Sequence, residues 1–117
     1  MKIIYHLSTC STCQRILKEL QPLNDFELQD IKTASLTESQ LEEMHALSNS
    51  YEALFSKRAV LYRERNLKDQ NLTEDDFKAL LLEHYTFLKR PVIIAENQLF
   101  IGNSKKVVAA AKKAIHS

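Results

Sequence analysis

The chain has 117 residues, the size of one domain built on one core. Hydrophobic residues make up 44% and charged residues 26%, an ordinary globular composition that excludes a disordered tail. A net charge of +1 gives no general attraction to nucleic acid or anionic membrane, so an anion site must come from a few placed arginines.

Met1-Lys2 leads straight into Ile3-Ile4-Tyr5, and His6 ends that run long before a signal-peptide core could form. No apolar stretch approaches the roughly 20 residues that a membrane-spanning helix needs. The expected compartment is therefore the cytoplasm, with no membrane partner. There, closely spaced cysteines are more often catalytic or metal-binding than structural.

Ile3 to Leu7 is β-prone and reads as a short buried strand. Ser8, Thr9 and Ser11 surround Cys10 with helix-capping types, and Cys13 to Leu20 reads as a helix whose apolar stripe is Ile16, Leu17 and Leu20. Pro22 and Asn24-Asp25 break that pattern. Phe26, Leu28 and, less regularly, Ile31 predict a second strand with alternating faces.

Thr37 followed by Gln40 is a capping-box signature for a helix through about Leu47, with Leu41, Met44 and Leu47 inward. Tyr51 to Leu67 reads as one or two short helices dense in Lys57, Arg58, Arg63 and Arg65. Thr73 before Glu74-Asp75-Asp76 is a strong helix start, because acidic groups suit the first turn of a helix dipole. Pro91 opens the apolar run Val92 to Ala95, and Asn97-Gln98 is a turn into Leu99-Phe100-Ile101, making a hairpin. After Gly102, the only glycine, Asn103 or Ser104 caps a last helix with Val107, Val108, Ala111 and Ile115 inward.

The chemistry concentrates at Cys10-Ser11-Thr12-Cys13. Directly after a buried strand and at a helix start, the first-turn N–H groups and the dipole favour a thiolate over a thiol. Cys10 is thus the expected nucleophile. Cys13, one helical turn away, is placed to resolve an adduct on Cys10. A zinc site is the competing use, but no second Cys-x-x-Cys or His-x-x-x-His supplies four ligands, so no metal is expected. His6, near the carboxyl end of the first strand, either tunes the thiolate or merely closes the strand. His45, His84 and His116 read as structural or surface groups.

Several segments together resemble the ArsC/Spx family: Tyr5-His6-Leu7-Ser8-Thr9-Cys10-Ser11-Thr12-Cys13, Ser56-Lys57-Arg58, Leu88-Lys89-Arg90-Pro91-Val92-Ile93-Ile94 and Ile101-Gly102. The similarity runs through nearly the whole chain. It implies an α/β, thioredoxin-like fold with a mixed four-stranded sheet and a helical insertion between the second and third strands. On that reading residues 1–117 form one domain, with 1–36 and 85–117 as the thioredoxin-like part and 37–84 as the insertion. The resemblance also implies a cis Arg90–Pro91 bond facing the Cys10 loop. Cys10 matches the cysteine that attacks arsenate in the family's reductases, and Arg90 an arginine that binds the oxyanion. Thr12, Arg58 and Arg90 are the implied anion-binding set.

Two features depart from the arsenate-reductase pattern. Ser56, followed by Lys57 and Arg58, stands where those enzymes carry an arginine, and Gly102 stands where they carry another. Each missing charge-assisted bond is worth about 1.5–3 kcal/mol, which weakens the expected hold on arsenate. Cys13 stands where glutaredoxin-coupled reductases generally lack a cysteine, whereas Spx proteins carry the pair as a disulfide switch. Two functions follow as expectations. One is a thiol oxidoreductase with no bound cofactor, acting on a small oxyanion or disulfide and regenerated by glutathione/glutaredoxin or thioredoxin. The other is a redox-sensing regulator that binds RNA polymerase, without direct nucleic-acid contact.

Overall fold

The computed structural model describes residues 1–116. Its first strand, β1 (Lys2–His6), feeds the first helix, α1 (Ser11–Leu20), and the chain returns through β2 (Glu27–Asp30). Three helices follow, α2 (Glu38–Ser48), α3 (Val60–Glu64) and α4 (Glu74–Glu83), with three short 3₁₀ turns at Glu52–Leu54, Leu67–Asp69 and Tyr85–Phe87. The hairpin β3 (Val92–Ala95) and β4 (Gln98–Ile101) then leads into α5 (Lys105–His116).

The sheet runs β2-β1-β3-β4. β1 is parallel to β2 and antiparallel to β3, and β3 is antiparallel to β4. This mixed sheet sits in one of two compact units, residues 1–34 with 90–117; residues 35–89 form the other.

In the first unit, side-chain alternation sends Ile4 of β1 and Ile93 of β3 to one sheet face. There they pack against Ile16, Leu17 and Leu20 of α1 and Val108 and Ala111 of α5. Leu20 and Ala111 are fully buried at the centre of that layer. Near β2 the structure departs from the sequence reading. Only Glu27–Asp30 is a strand, and Leu28 is 46% exposed. Leu28 pairs with Ile4 and so shares its sheet face, but on this edge strand it is left uncovered.

The second unit is organised around Phe55. Its ring stacks on Phe87 at 5.1 Å and meets Phe77 edge-on at 4.9 Å. Backbone bonds from Ser56 N to Phe87 O (2.7 Å) and Lys89 N to Leu54 O (2.8 Å) hold the two segments side by side. α2 begins where Thr37 Oγ1 accepts from Gln40 N at 3.0 Å while Gln40 Oε1 accepts from Thr37 N at 3.2 Å, a complete capping box. Thr73 and Asp76 do the same for α4. Leu41 and Met44 are buried on α2, but Leu47 is exposed.

The β3–β4 hairpin turns one residue earlier than the sequence reading placed it. Ala95 pairs with Gln98, so Glu96 and Asn97 form the turn, with Glu96 at φ 58°. Gly102 follows β4 at φ 92°, a conformation that an L side chain rarely adopts. Ser104 caps α5 by accepting from Val107 N at 3.2 Å.

Candidate functional site

Cys10 is the N-cap of α1, with φ −97° and ψ 111°. Its position follows from the preceding turn. Cys10 N donates to Leu7 O at 3.0 Å, and Gln14 Nε2 donates to the same carbonyl at 3.2 Å. On the other side, Asp30 Oδ1 accepts from Ser8 N at 3.3 Å and from Lys32 N at 3.1 Å. The end of β2 thereby braces the loop that presents the sulfur.

Both cysteines are free; Cys10 is half-buried and Cys13 fully buried, at 0% exposure. Their thiols are driven apart in acidity. Burial pushes the Cys10 pKa up, but the Cys13 amide and thiol and the charge and hydrogen bond of Arg90 outweigh it. The net shift is downward. The Cys13 amide belongs to the first turn of α1, so the helix start and Arg90 together favour the thiolate. Cys13 is pushed up to about 11, first by burial and then by the charge on Cys10, against opposing help from a Leu7 backbone bond and Arg90. The result is a half-buried thiol held low beside a buried thiol held high.

Arg90 is half-buried immediately before Pro91, and the Arg90–Pro91 peptide bond is cis. The Gly102 N–H donates to Pro91 O at 2.9 Å, joining the end of β4 to the start of β3. A second cis bond, Gln21–Pro22, lies just after α1, where the sequence reading saw only a helix breaker.

Thr12 is half-buried in the first turn of α1. His6 ends β1 half-buried, opposite Asp30 in the β1–β2 register, and its Nδ1 is buried without a hydrogen-bond partner. Asp30 is held low first by the Ser8 hydroxyl and then by the Lys32 and Ser8 amides, with His6 adding its charge. The structure therefore brings Cys10, Cys13, Thr12, Arg90, Pro91 and His6 into the first unit. Arg58 lies in the second unit, exposed just before α3.

Sequence reasoning missed Asp30 and Gln14 as supports of the loop. Neither stands in a motif; only their long-range partners, Ser8 and Leu7, reveal them. The remaining histidines are structural. His45 stacks on Tyr51 at 4.2 Å, His84 Nδ1 accepts from Thr86 N at 3.0 Å, and His116 Nε2 lies 2.7 Å from Leu20 O. Among the described residues, no group of three or more His, Cys, Asp or Glu could hold a metal ion. No described helix is long and apolar enough to cross a membrane.

Residues 5–111 match the model of the ArsC family. The chain belongs to the ArsC family. Among its relatives, the global transcriptional regulator Spx 2 of Bacillus anthracis is 25% identical over 104 residues, 87% of this chain and 79% of that protein. Among solved structures, an ArsC-family-related protein of Bacteroides fragilis superposes with a TM-score of 0.80 at 25% identity, covering 97% of this chain and 96% of that one. An arsenate reductase of Vibrio cholerae gives 0.78 at 23%, over 93% and 95%. The ArsC-family fold, thioredoxin-like with its mixed four-stranded sheet, is thus the fold of this chain.

Proposed function

We propose that this ArsC-family protein is a dithiol oxidoreductase in which Cys10 attacks and Cys13 resolves. The reading is carried by one observation: the half-exposed Cys10 thiol is held low beside Arg90, while buried Cys13 is pushed up to about 11. A low-pKa thiolate is the nucleophile in thiol chemistry, and a protonated neighbour keeps the pair from competing with itself.

The Cys10 thiolate attacks one sulfur of a substrate disulfide. An S–S bond forms to Cys10, and the other substrate sulfur leaves as a thiolate. Cys13 then gives up its proton and attacks Cys10 Sγ. The substrate departs fully reduced, having gained two electrons, and a Cys10–Cys13 disulfide remains. Thioredoxin, or glutathione with glutaredoxin, returns two electrons and two protons. An oxyanion such as arsenate is the alternative first substrate, with Arg90 and Thr12 of the first unit as its anion-binding groups; Cys13 or glutathione would then resolve the adduct.

Spx 2 at 25% identity favours a second reading, a redox-sensing regulator that engages RNA polymerase through the same disulfide. Intact-mass analysis of reduced protein after arsenate, oxidised glutathione or peroxide tests the first reading. A mixed disulfide on Cys10, or loss of two mass units as the internal disulfide closes, supports it. An unmodified mass under all three oxidants sinks it. Redox-dependent retention of RNA polymerase without turnover supports the second.

A further inference from the structure

The outward face of the α1/α5 layer carries a charge pattern that the thiol chemistry does not use. α5 exposes Lys105, Lys106, Lys112 and Lys113 and contains no acidic residue. α1 adds exposed Arg15 and Lys18, against the single acid Glu19. Among the described residues, none of these six cations takes part in an ion pair. In residues 35–89, Lys57, Arg65 and Lys78 each hold a carboxylate, at 2.6, 2.7 and 3.1 Å, while Arg58, Arg63, Lys68 and Lys89 pair with none among the described residues but are scattered rather than gathered on one helical layer.

The two helices form one surface. Both lie on the same sheet face, and His116 at the end of α5 meets Leu20 O at the end of α1. They also start at the same end of the strands. Tyr5 pairs with Val92, Val92 pairs with Ile101, and Gly102 bonds back to Pro91. Lys105 and Lys106 therefore follow β4 at the end of the sheet where Cys10 follows β1 and Arg90 precedes β3.

Lys18 and Lys113, in the last turns of α1 and α5, suit the helix dipole, but the first turn of α5 has no such reason. Lysines in the first turn of α5 oppose the helix dipole, which favours acids there, and clustered like charges repel. The twelve residues of α5 extend over about 18 Å, beyond the reach of one small anion. The face presents no aromatic ring on which a base could stack and only one arginine for phosphate. An acidic protein surface fits it better than nucleic acid does.

We propose that the exposed face of α1 and α5 docks a protein dithiol reductant through an acidic surface, bringing the reductant's thiol to Cys10. The proposal rests on the redox reading above and names its partner. A partner thiolate attacks Cys10 Sγ of the Cys10–Cys13 disulfide, and Cys13 leaves and takes a proton. The partner's second thiolate then attacks its own mixed-disulfide sulfur and releases Cys10. Two electrons pass to this chain, and the partner keeps the new disulfide.

The test uses two thioredoxins as probes, one with an acidic rim around its dithiol and one with that rim made basic. Their rates of reducing the oxidised full-length protein are compared at rising salt, with dithiothreitol as a neutral control. The acidic-rim thioredoxin should be faster by about ten-fold at low salt, and added salt should erase the difference. Combining Lys105→Glu, Lys106→Glu and Lys112→Glu should abolish or reverse the preference while leaving the dithiothreitol rate unchanged. The Lys105→Glu, Lys106→Glu pair suits the helix dipole, so its Tm should not fall, and lost preference cannot be blamed on unfolding.

Equal rates for the two thioredoxins, or a preference that survives the substitutions, overturns the docking surface while the thiol chemistry stands. Binding of a short duplex DNA at about 0.15 M salt that the same substitutions remove reassigns the face to nucleic acid and also overturns it. Failure of peroxide to form any Cys10–Cys13 disulfide defeats the redox reading beneath it.

Discussion

Arg90 and Cys13 pull the Cys10 thiol in the same direction, against its burial. Removing the guanidinium while keeping a polar side chain should therefore raise the thiol pKa. For Arg90→Gln, the pH midpoint of Cys10 alkylation by iodoacetamide should move up, with the rate at pH 7 falling about ten-fold for each unit. An unchanged midpoint would remove Arg90 from the site. Asp30 calls for a paired comparison. Asp30→Asn and Asp30→Ala delete the same charge, but only Asn keeps an oxygen to accept from Ser8 N and Lys32 N. Cys10 alkylation above its midpoint should therefore be slower in Asp30→Ala than in Asp30→Asn; equal rates would show that the brace is immaterial. Legibility at this scale tracks distance along the chain. Cys10 and Cys13 stand one helical turn apart in a local cap pattern and were readable. Asp30 acts on Ser8 from 22 residues away, a pairing that exists only once β2 has docked beside β1.

The helix starts show what local chemistry can specify. Thr37 with Gln40 and Thr73 with Asp76 satisfy orphan amides within four residues, so sequence alone placed both ends. Thr37→Ala should cost about 1 kcal/mol in urea unfolding, the usual loss for an N-cap. A loss below about 0.3 kcal/mol would mean that α2 is held by packing of Leu41 and Met44 instead. Gly102 poses a different case. A Cβ there meets nothing within 4 Å, so only its φ of 92° resists substitution. Gly102→Ala should cost about 1–2 kcal/mol of backbone strain without repacking the core. An unchanged stability would show that the β4–α5 junction relaxes freely. The misread elements, by contrast, depend on pairing. The hairpin turn shifted by one residue because Ala95 pairs with Gln98, and Leu28, on the face of Ile4 by register, is left 46% exposed on the edge strand. Neither register nor edge position is written in a residue's neighbours along the chain.

Across the whole molecule, element order and the family resemblance together anticipated the mixed sheet and the helices between β2 and β3. The distribution of charge was less legible. A net charge of +1 hides six cations on one helical layer that hold no carboxylate among the described residues, because carboxylates elsewhere cancel them in the total. The opposed shifts of the two thiols also have a global consequence, visible as stability against pH. Between the lowered Cys10 pKa and the ordinary thiol value, the unfolded chain holds a proton at that sulfur that the folded chain has lost, so stability rises with pH. Cys13 has the opposite sign. Its pKa is about 11 when folded, against an ordinary value of 9.0, so between them the unfolded chain has lost a proton that the folded chain still binds. Stability must fall across that window, by on the order of 2–3 kcal/mol if Cys13 accounts for the whole shift. Lysines and tyrosines titrate in the same range, so the informative quantity is a difference. Reduced wild-type protein and Cys13→Ala are unfolded in urea at pH 8 and at pH 11, and each variant's change is recorded. The wild type should lose more stability between the two pH values than Cys13→Ala does. Equal losses would show that the folded state does not hold Cys13 protonated, and Cys13 would then compete with Cys10 as the nucleophile.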